Sequence, residues 1–216
     1  MAITALAQAT PSIKRRIEVA ALQLFAEHGS ERINVKDLAL KAGVSRGTIY
    51  NNVESLDTLF DDIVGSLAAN LHERIHQSFA GITDPAHRLS IGIRLILRQV
   101  FRNPAWGQFL CRFGLTSAQL REVWQGQPMR DLEQGVASGR YTINAELLPS
   151  STAMMAGTVI GAARLIIDGH RGWLDCGSEA AELVLRALGI DANEAHALAR
   201  SELPEINFPS ITEYNS

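Results

Sequence analysis

Ile33-Asn34-Val35-Lys36-Asp37-Leu38-Ala39 and, two residues on, Ala42-Gly43-Val44-Ser45-Arg46-Gly47-Thr48-Ile49-Tyr50 decide how this chain folds. Asn34 is a preferred N-cap, Asp37 three residues later is a capping-box acid, and Val35, Leu38, Ala39 and Ala42 share one helical face. Gly43 stops that helix after about two turns. Ser45 caps the next one directly after the turn Gly43-Val44-Ser45. So short a link forces the two helices to cross steeply instead of running antiparallel, which is helix-turn-helix geometry. On the second helix Ile49 and Val53 face inward, while Arg46, Gly47, Thr48, Tyr50, Asn51 and Asn52 are polar or small. A helix lying in the major groove needs that division.

Working outward, Thr10-Pro11 supplies a cap and a first-turn proline for a helix whose apolar face is Ile13, Ile17, Ala20, Ala21, Leu24 and Phe25, ended by Gly29. Ser55 caps a longer helix with the stripe Leu59, Phe60, Ile63, Val64, Leu67, Leu71 and Ile75. Asp84-Pro85, Asn103-Pro104 and Ser117 open further helices, the last kinked or interrupted at Pro128. Ser151 to Asp168 reads as an apolar helix rich in small residues. Ser178 and Gly189 bracket another, and Asp191 with Glu194 starts a last one. Tyr141 to Leu148 has no assignable pattern, and no strand pair or repeat is present. The expected fold is all-α: a flexible arm at 1–9, a three-helix DNA-binding domain at 10–55, a helical ligand-binding and dimerisation domain at 56–203, and a tail at 204–216.

Composition excludes several classes. Of 216 residues, 46% are hydrophobic and 20% charged, as in ordinary globular proteins. Cys111 and Cys176 lack CxxC spacing, which gives no zinc knuckle or disulfide framework and fits a reducing cytoplasm. The start of the chain lacks a secretion pattern. The most apolar window, Ala153 to Ile167, contains Arg164 and falls short of the ~20 residues that span a bilayer, so it is expected to be a buried helix and no membrane partner is implied. Net charge is −3, yet residues 1–53 hold seven basic and four acidic side chains, a net +3 that leaves −6 for the rest. All three lysines lie in that first piece. A positive field there suits a nucleic-acid partner.

Over residues 13–63 the chain resembles the DNA-binding domain of TetR-family repressors, carried by the 33–50 string above and by Leu59-Phe60. The resemblance implies a one-component repressor, released from operator DNA by a small molecule; an activator of the same fold is the alternative. Side-chain chemistry assigns the groove contacts. Arg46 suits a guanine edge, and Asn51 or Asn52 an adenine edge. Lys36 reaches a base or a phosphate, Thr48 and Tyr50 suit phosphate oxygens, and Ser45 and Gly47 complete the helix entry. Two positions depart from the family: Val53 where an aromatic residue is usual, and Leu56 where a lysine commonly meets a phosphate.

His72-Glu73-Arg74-Ile75-His76 spells HExxH, the signature of zinc hydrolases. Ile82 stands where the longer form has a third histidine. Three readings compete: a zinc-dependent hydrolase, a ligand or metal contact through His72 or His76, and plain packing. The motif's place on the helix that leaves the DNA-binding unit favours packing, so no catalytic residue, metal or cofactor is expected. The resemblance implies His72 as a ligand contact, because tetracycline-sensing relatives reach their drug from that position. The expected cavity is lined by Trp106, Phe109, Phe113, Trp124, Met154 and Met155, with Arg164 and His170 as polar anchors and an aromatic or lipophilic inducer as ligand. The helices at 151–168 and 178–188 are expected to pair with a second copy, setting two recognition helices on a near-palindromic double-stranded operator.

Overall fold

The computed structural model describes residues 12–79 and 81–204, so the arm and most of the tail lie outside it. Eleven α-helices and two short 3-10 turns account for the regular structure of the described residues. Helix α1 (Ile13–His28) is capped by Ser12, whose side chain accepts from the Arg15 N–H, rather than by Thr10, which falls outside the described residues. α2 (Val35–Ala42) starts at the Asn34 cap and ends at Gly43 in the left-handed conformation, φ 64°. α3 (Arg46–Asn52) follows at once. Leu38, Ile49, Phe25 and Ile17 are fully buried and form the core of this three-helix unit.

α4 (Leu56–Gln77) runs away from the unit as its longest described helix. α5 (Pro85–Arg102), α9 (Leu148–Ile167) and α10 (Trp173–Ala187) form the centre of the second domain. α6 (Pro104–Phe113), α7 (Ala118–Gln125), α8 (Gln127–Ala137) and α11 (Ala192–Ala199) pack around them.

Three boundaries differ from expectation. The helix that Pro128 was expected to disturb is two helices, broken at Gly126, with Pro128 in the first turn of α8 where its missing N–H costs nothing. α10 begins at Trp173, not Ser178; Ser178 is buried within the helix, so it is no cap. α9 extends back to Leu148 through a 3-10 turn at Ala145–Leu147, and the combined 23 residues are long and apolar enough to cross a membrane by composition, although 44% of that window is buried against neighbouring helices. The unassigned stretch is anchored by Tyr141, buried with its ring against Gly135; a Cβ at Gly135 would lie 1.9 Å from Tyr141 Cε2.

Candidate DNA-binding face and ligand cavity

Ser45 opens α3 by accepting the Thr48 N–H at 3.0 Å, and its hydroxyl also meets Thr48 Oγ1 at 2.9 Å. Both side chains therefore shape the helix entry. Asn52 turns back and donates to the Thr48 carbonyl at 2.8 Å. Arg46, Gly47, Tyr50 and Asn51 are left on one exposed face, Tyr50 at 67% exposure, while Ile49 beneath them is buried. Lys36 is exposed at the start of α2. Arg16 braces the turn from α1, donating to the carbonyls of Ala42 (2.8 Å) and Gly43 (2.6 Å), two acceptors that the end of α2 leaves open. The arginine is thus a structural clamp, a role its sequence position did not disclose.

In the second domain an apolar cavity of about 40 Å³ lies between α4, α5, α7, α8 and α9. Leu71, Ile75 and Phe79 wall it from α4 and its end, Leu89, Gly92, Ile93 and Ile96 from α5, Val123 and Trp124 from α7, and Met155 and Val159 from α9. Its polar rim is Arg88, Gln127 and Asp131. Arg88 Nε donates to Asp131 Oδ1 at 2.8 Å, Nη2 lies 2.6 Å from the same oxygen and 2.6 Å from Gln134 Oε1, and Nη1 donates to the carbonyls of Ile82 (3.0 Å) and Thr83 (2.8 Å). Asp131 is 1% exposed, and burial pushes its carboxyl above the usual range even though Arg88 and Gln127 pull the other way.

Residues 17–63 match the family described as bacterial regulatory proteins of the tetR type, and residues 84–201 match the tetracyclin repressor-like C-terminal domain. The chain belongs to the TetR family. It is therefore a DNA-binding transcriptional regulator. The nucleoid occlusion factor SlmA of Citrobacter koseri is 28% identical over 153 residues, covering 63% of this chain and 77% of SlmA. Among solved structures, RolR in complex with resorcinol superposes with a TM-score of 0.69 at 25% identity, covering 90% of this chain and 96% of RolR. SmeT, repressor of a Stenotrophomonas maltophilia multidrug efflux pump, gives a TM-score of 0.68 at 18% identity, covering 91% and 98%, and so speaks for the fold alone.

Within this TetR frame, of the expected ligand contacts among the described side chains, Trp124 and Met155 line the cavity, whereas Met154 is exposed on α9. Trp106 is buried elsewhere in α6. Arg164 is exposed on α9 and pairs with Asp168 at 2.8 Å, and His170 is exposed in the following turn. The His72 side chain lies outside the described part of the structure. Of its HExxH partners, Glu73 accepts from Gln77 at 2.6 Å and His76 is exposed; among the described residues no three His, Cys, Asp or Glu side chains converge on a metal site.

Phe109 and Phe113 sit at the domain junction instead. Phe60 of α4 meets Phe113 at 4.9 Å and Phe25 of α1 at 5.1 Å, both edge-on, and Phe109 lies 5.7 Å from Phe60. Arg112 of α6 donates to the Ala26 carbonyl at 2.9 Å, closing the end of α1. At the two departures from the TetR pattern, Val53 and Leu56 are half-buried against the core. Leu56 thus serves packing at the start of α4.

The residues that sequence reasoning missed are Arg88 and Asp131. Arg88 shares a helical face with Gly92 and Ile96 at four-residue steps, and a charge on an otherwise apolar stripe is the signal that marks it.

Proposed function

We propose that this chain is a repressor that binds a near-palindromic operator as a homodimer and is released when a small molecule fills the cavity. One observation carries the reading: only three residues separate α4 from the recognition helix α3, and the far end of α4 forms a wall of the cavity. At about 40 Å³ the cavity has room for roughly three waters. A ring-sized ligand must therefore displace a wall, and displacing α4 moves the DNA-binding unit. The resorcinol bound by RolR supports a small ring as the effector.

Pairing of two copies is supported by the outer faces of α9 and α10. Met154, Leu165, Leu174 and Leu183 are exposed there at 38–61%, beside the small exposed residues Ala153, Gly157 and Gly161. A four-helix bundle across a twofold axis would cover them and set two α3 helices one DNA turn apart, roughly 34–36 Å. Arg46 and Asn51 then read base edges, Asn52 offers its remaining oxygen, Lys36, Thr48 and Tyr50 hold phosphates, and Ser45 and Gly47 allow close backbone approach. The work is done where chromosomal DNA is, in the cytoplasm.

Selection of operator sequences from randomised duplexes with the full-length protein tests this reading. Two inverted half-sites one turn apart are expected, with enrichment lost in Arg46→Ala. An asymmetric single site, or no enrichment, contradicts it. A promoter-reporter assay then separates repression from activation.

A further inference from the structure

The polar rim of the cavity is uneven in a way that selects a ligand class. All three guanidinium nitrogens of Arg88 are engaged: Nε donates to Asp131 Oδ1, Nη1 to the Ile82 and Thr83 carbonyls, and Nη2 to Gln134, with Nη2 also ion-paired to Asp131 Oδ1. An incoming acceptor thus meets no unengaged guanidinium nitrogen. The bonds to Asp131 all fall on one oxygen, because Gln127 Nε2 also donates to Oδ1, at 2.9 Å. Oδ2 accepts no hydrogen bond among the described residues, although a carboxylate has about four acceptor sites. Asp131 is 1% exposed and borders the cavity. The rim thus holds one carboxylate oxygen without a protein donor among the described residues and no unengaged guanidinium nitrogen, in a chamber otherwise walled by hydrocarbon.

Resting on the reading of this cavity as the effector site, we infer that its ligand is a neutral, compact ring carrying a hydroxyl, of the phenol class, whose O–H donates to Asp131 Oδ2. An anion would meet the Asp131 carboxylate with no free guanidinium donor to offset it. An ammonium would bring an uncompensated charge into an apolar chamber, since Arg88 already neutralises Asp131. A plain hydrocarbon would fill the space and leave Oδ2 desolvated and unmatched. Through Arg88 the same pair holds the carbonyls of Ile82 and Thr83, at the turn joining α4 to α5. A hydroxyl drawn to Asp131 is therefore placed beside the one side chain that ties the cavity rim to the end of α4.

The test is binding to the full-length protein, by calorimetry and thermal shift, of phenol, toluene and benzoate, with Asp131→Asn and Gly92→Val as variants. A Cβ at Gly92 would stand in ordinary contact, 3.8 Å from Ile75 Cγ2 and 3.9 Å from Phe79 Cζ, so valine fills the chamber between α4 and α5. In Asp131→Asn, Arg88 and Gln127 hold the amide oxygen, and an NH2 donor replaces the vacant acceptor. Phenol is expected to bind the wild type on the order of 10- to 100-fold more tightly than toluene, from one hydrogen bond to a charged acceptor, with benzoate weaker than both. Asp131→Asn should erase the preference for phenol, and Gly92→Val should abolish binding of both rings. Equal binding of phenol and toluene, both blocked by Gly92→Val, overturns the inference and leaves the effector cavity standing. Phenol binding that Gly92→Val does not weaken, or no phenol binding at all, overturns the cavity reading with it. If Asp131→Asn fails to fold, the wild-type preference and its loss in Gly92→Val decide the matter alone.

Discussion

Arg88 and Asp131 make the sharpest energetic prediction. Arg88→Met removes a guanidinium that is 9% exposed and leaves a carboxylate that is 1% exposed with Gln127 as its hydrogen-bonding neighbour. Breaking a buried ion pair from one side costs about 3–5 kcal/mol. Asp131→Leu should cost less, about 2–3 kcal/mol, because Arg88 keeps its bonds to Ile82, Thr83 and Gln134. The double variant Arg88→Met/Asp131→Leu should cost no more than Arg88→Met alone, about 3–5 kcal/mol, so that the two single losses exceed it by a coupling of about 2–3 kcal/mol in a urea-denaturation cycle at pH 7.

The same variant carries a pH signature. Burial already holds the Asp131 pKa above the ordinary carboxylate value of 3.8, and losing Arg88 raises it further. A carboxyl whose folded pKa is raised binds more protons folded than unfolded between those two values. Its penalty is full above the folded pKa, shrinks as pH falls through it, and is gone below the unfolded value. Between the wild-type folded pKa and the higher folded pKa of the variant, the stability gap between Arg88→Met and wild type should narrow as pH falls, by up to about 1.4 kcal/mol per pH unit. Additive single variants, or a gap that widens on acidification, would refute this account of the pair.

Other predictions concern the junction, the loop and the DNA edge. Arg112→Ala loses the bond to the Ala26 carbonyl, worth about 1 kcal/mol, and should reduce the fold by which phenol weakens operator binding in anisotropy titrations; an unchanged ratio argues against Arg112 as a coupling residue. Gly135→Ala should lower stability by about 1–3 kcal/mol or more, since its methyl would overlap the buried Tyr141 ring, and a melting temperature equal to wild type would contradict that packing. Leu56→Lys should steepen the salt dependence of operator binding by roughly one phosphate contact, read as the slope of log affinity against log salt.

The DNA-binding unit was legible because its signals are local. Asn34, Gly43 and Ser45 each act through a cap or turn only a few residues long, and all three perform the role their spacing implies. The cavity was not, because its walls come from five helices and its two charges stand 43 residues apart. Aromatic residues on α6 were expected in the cavity on composition alone. The face they occupy is decided by where α1 and α4 dock, and that docking turns Phe109 and Phe113 into a domain junction. Ser178 misled for a related reason: a capping residue type proves nothing when its hydroxyl is buried inside a helix.

Pulsed electron-spin distances between nitroxides at position 40 on α2, in the full-length protein with Cys111→Ser, Cys176→Ala and Leu40→Cys, test the central claim most directly, because Leu40 is exposed and takes no part in the proposed DNA contacts. The account predicts a single narrow distance with the selected operator bound, shifting by several ångströms when phenol saturates the cavity. Absence of any dipolar coupling, or a distance that phenol leaves unchanged, would contradict it.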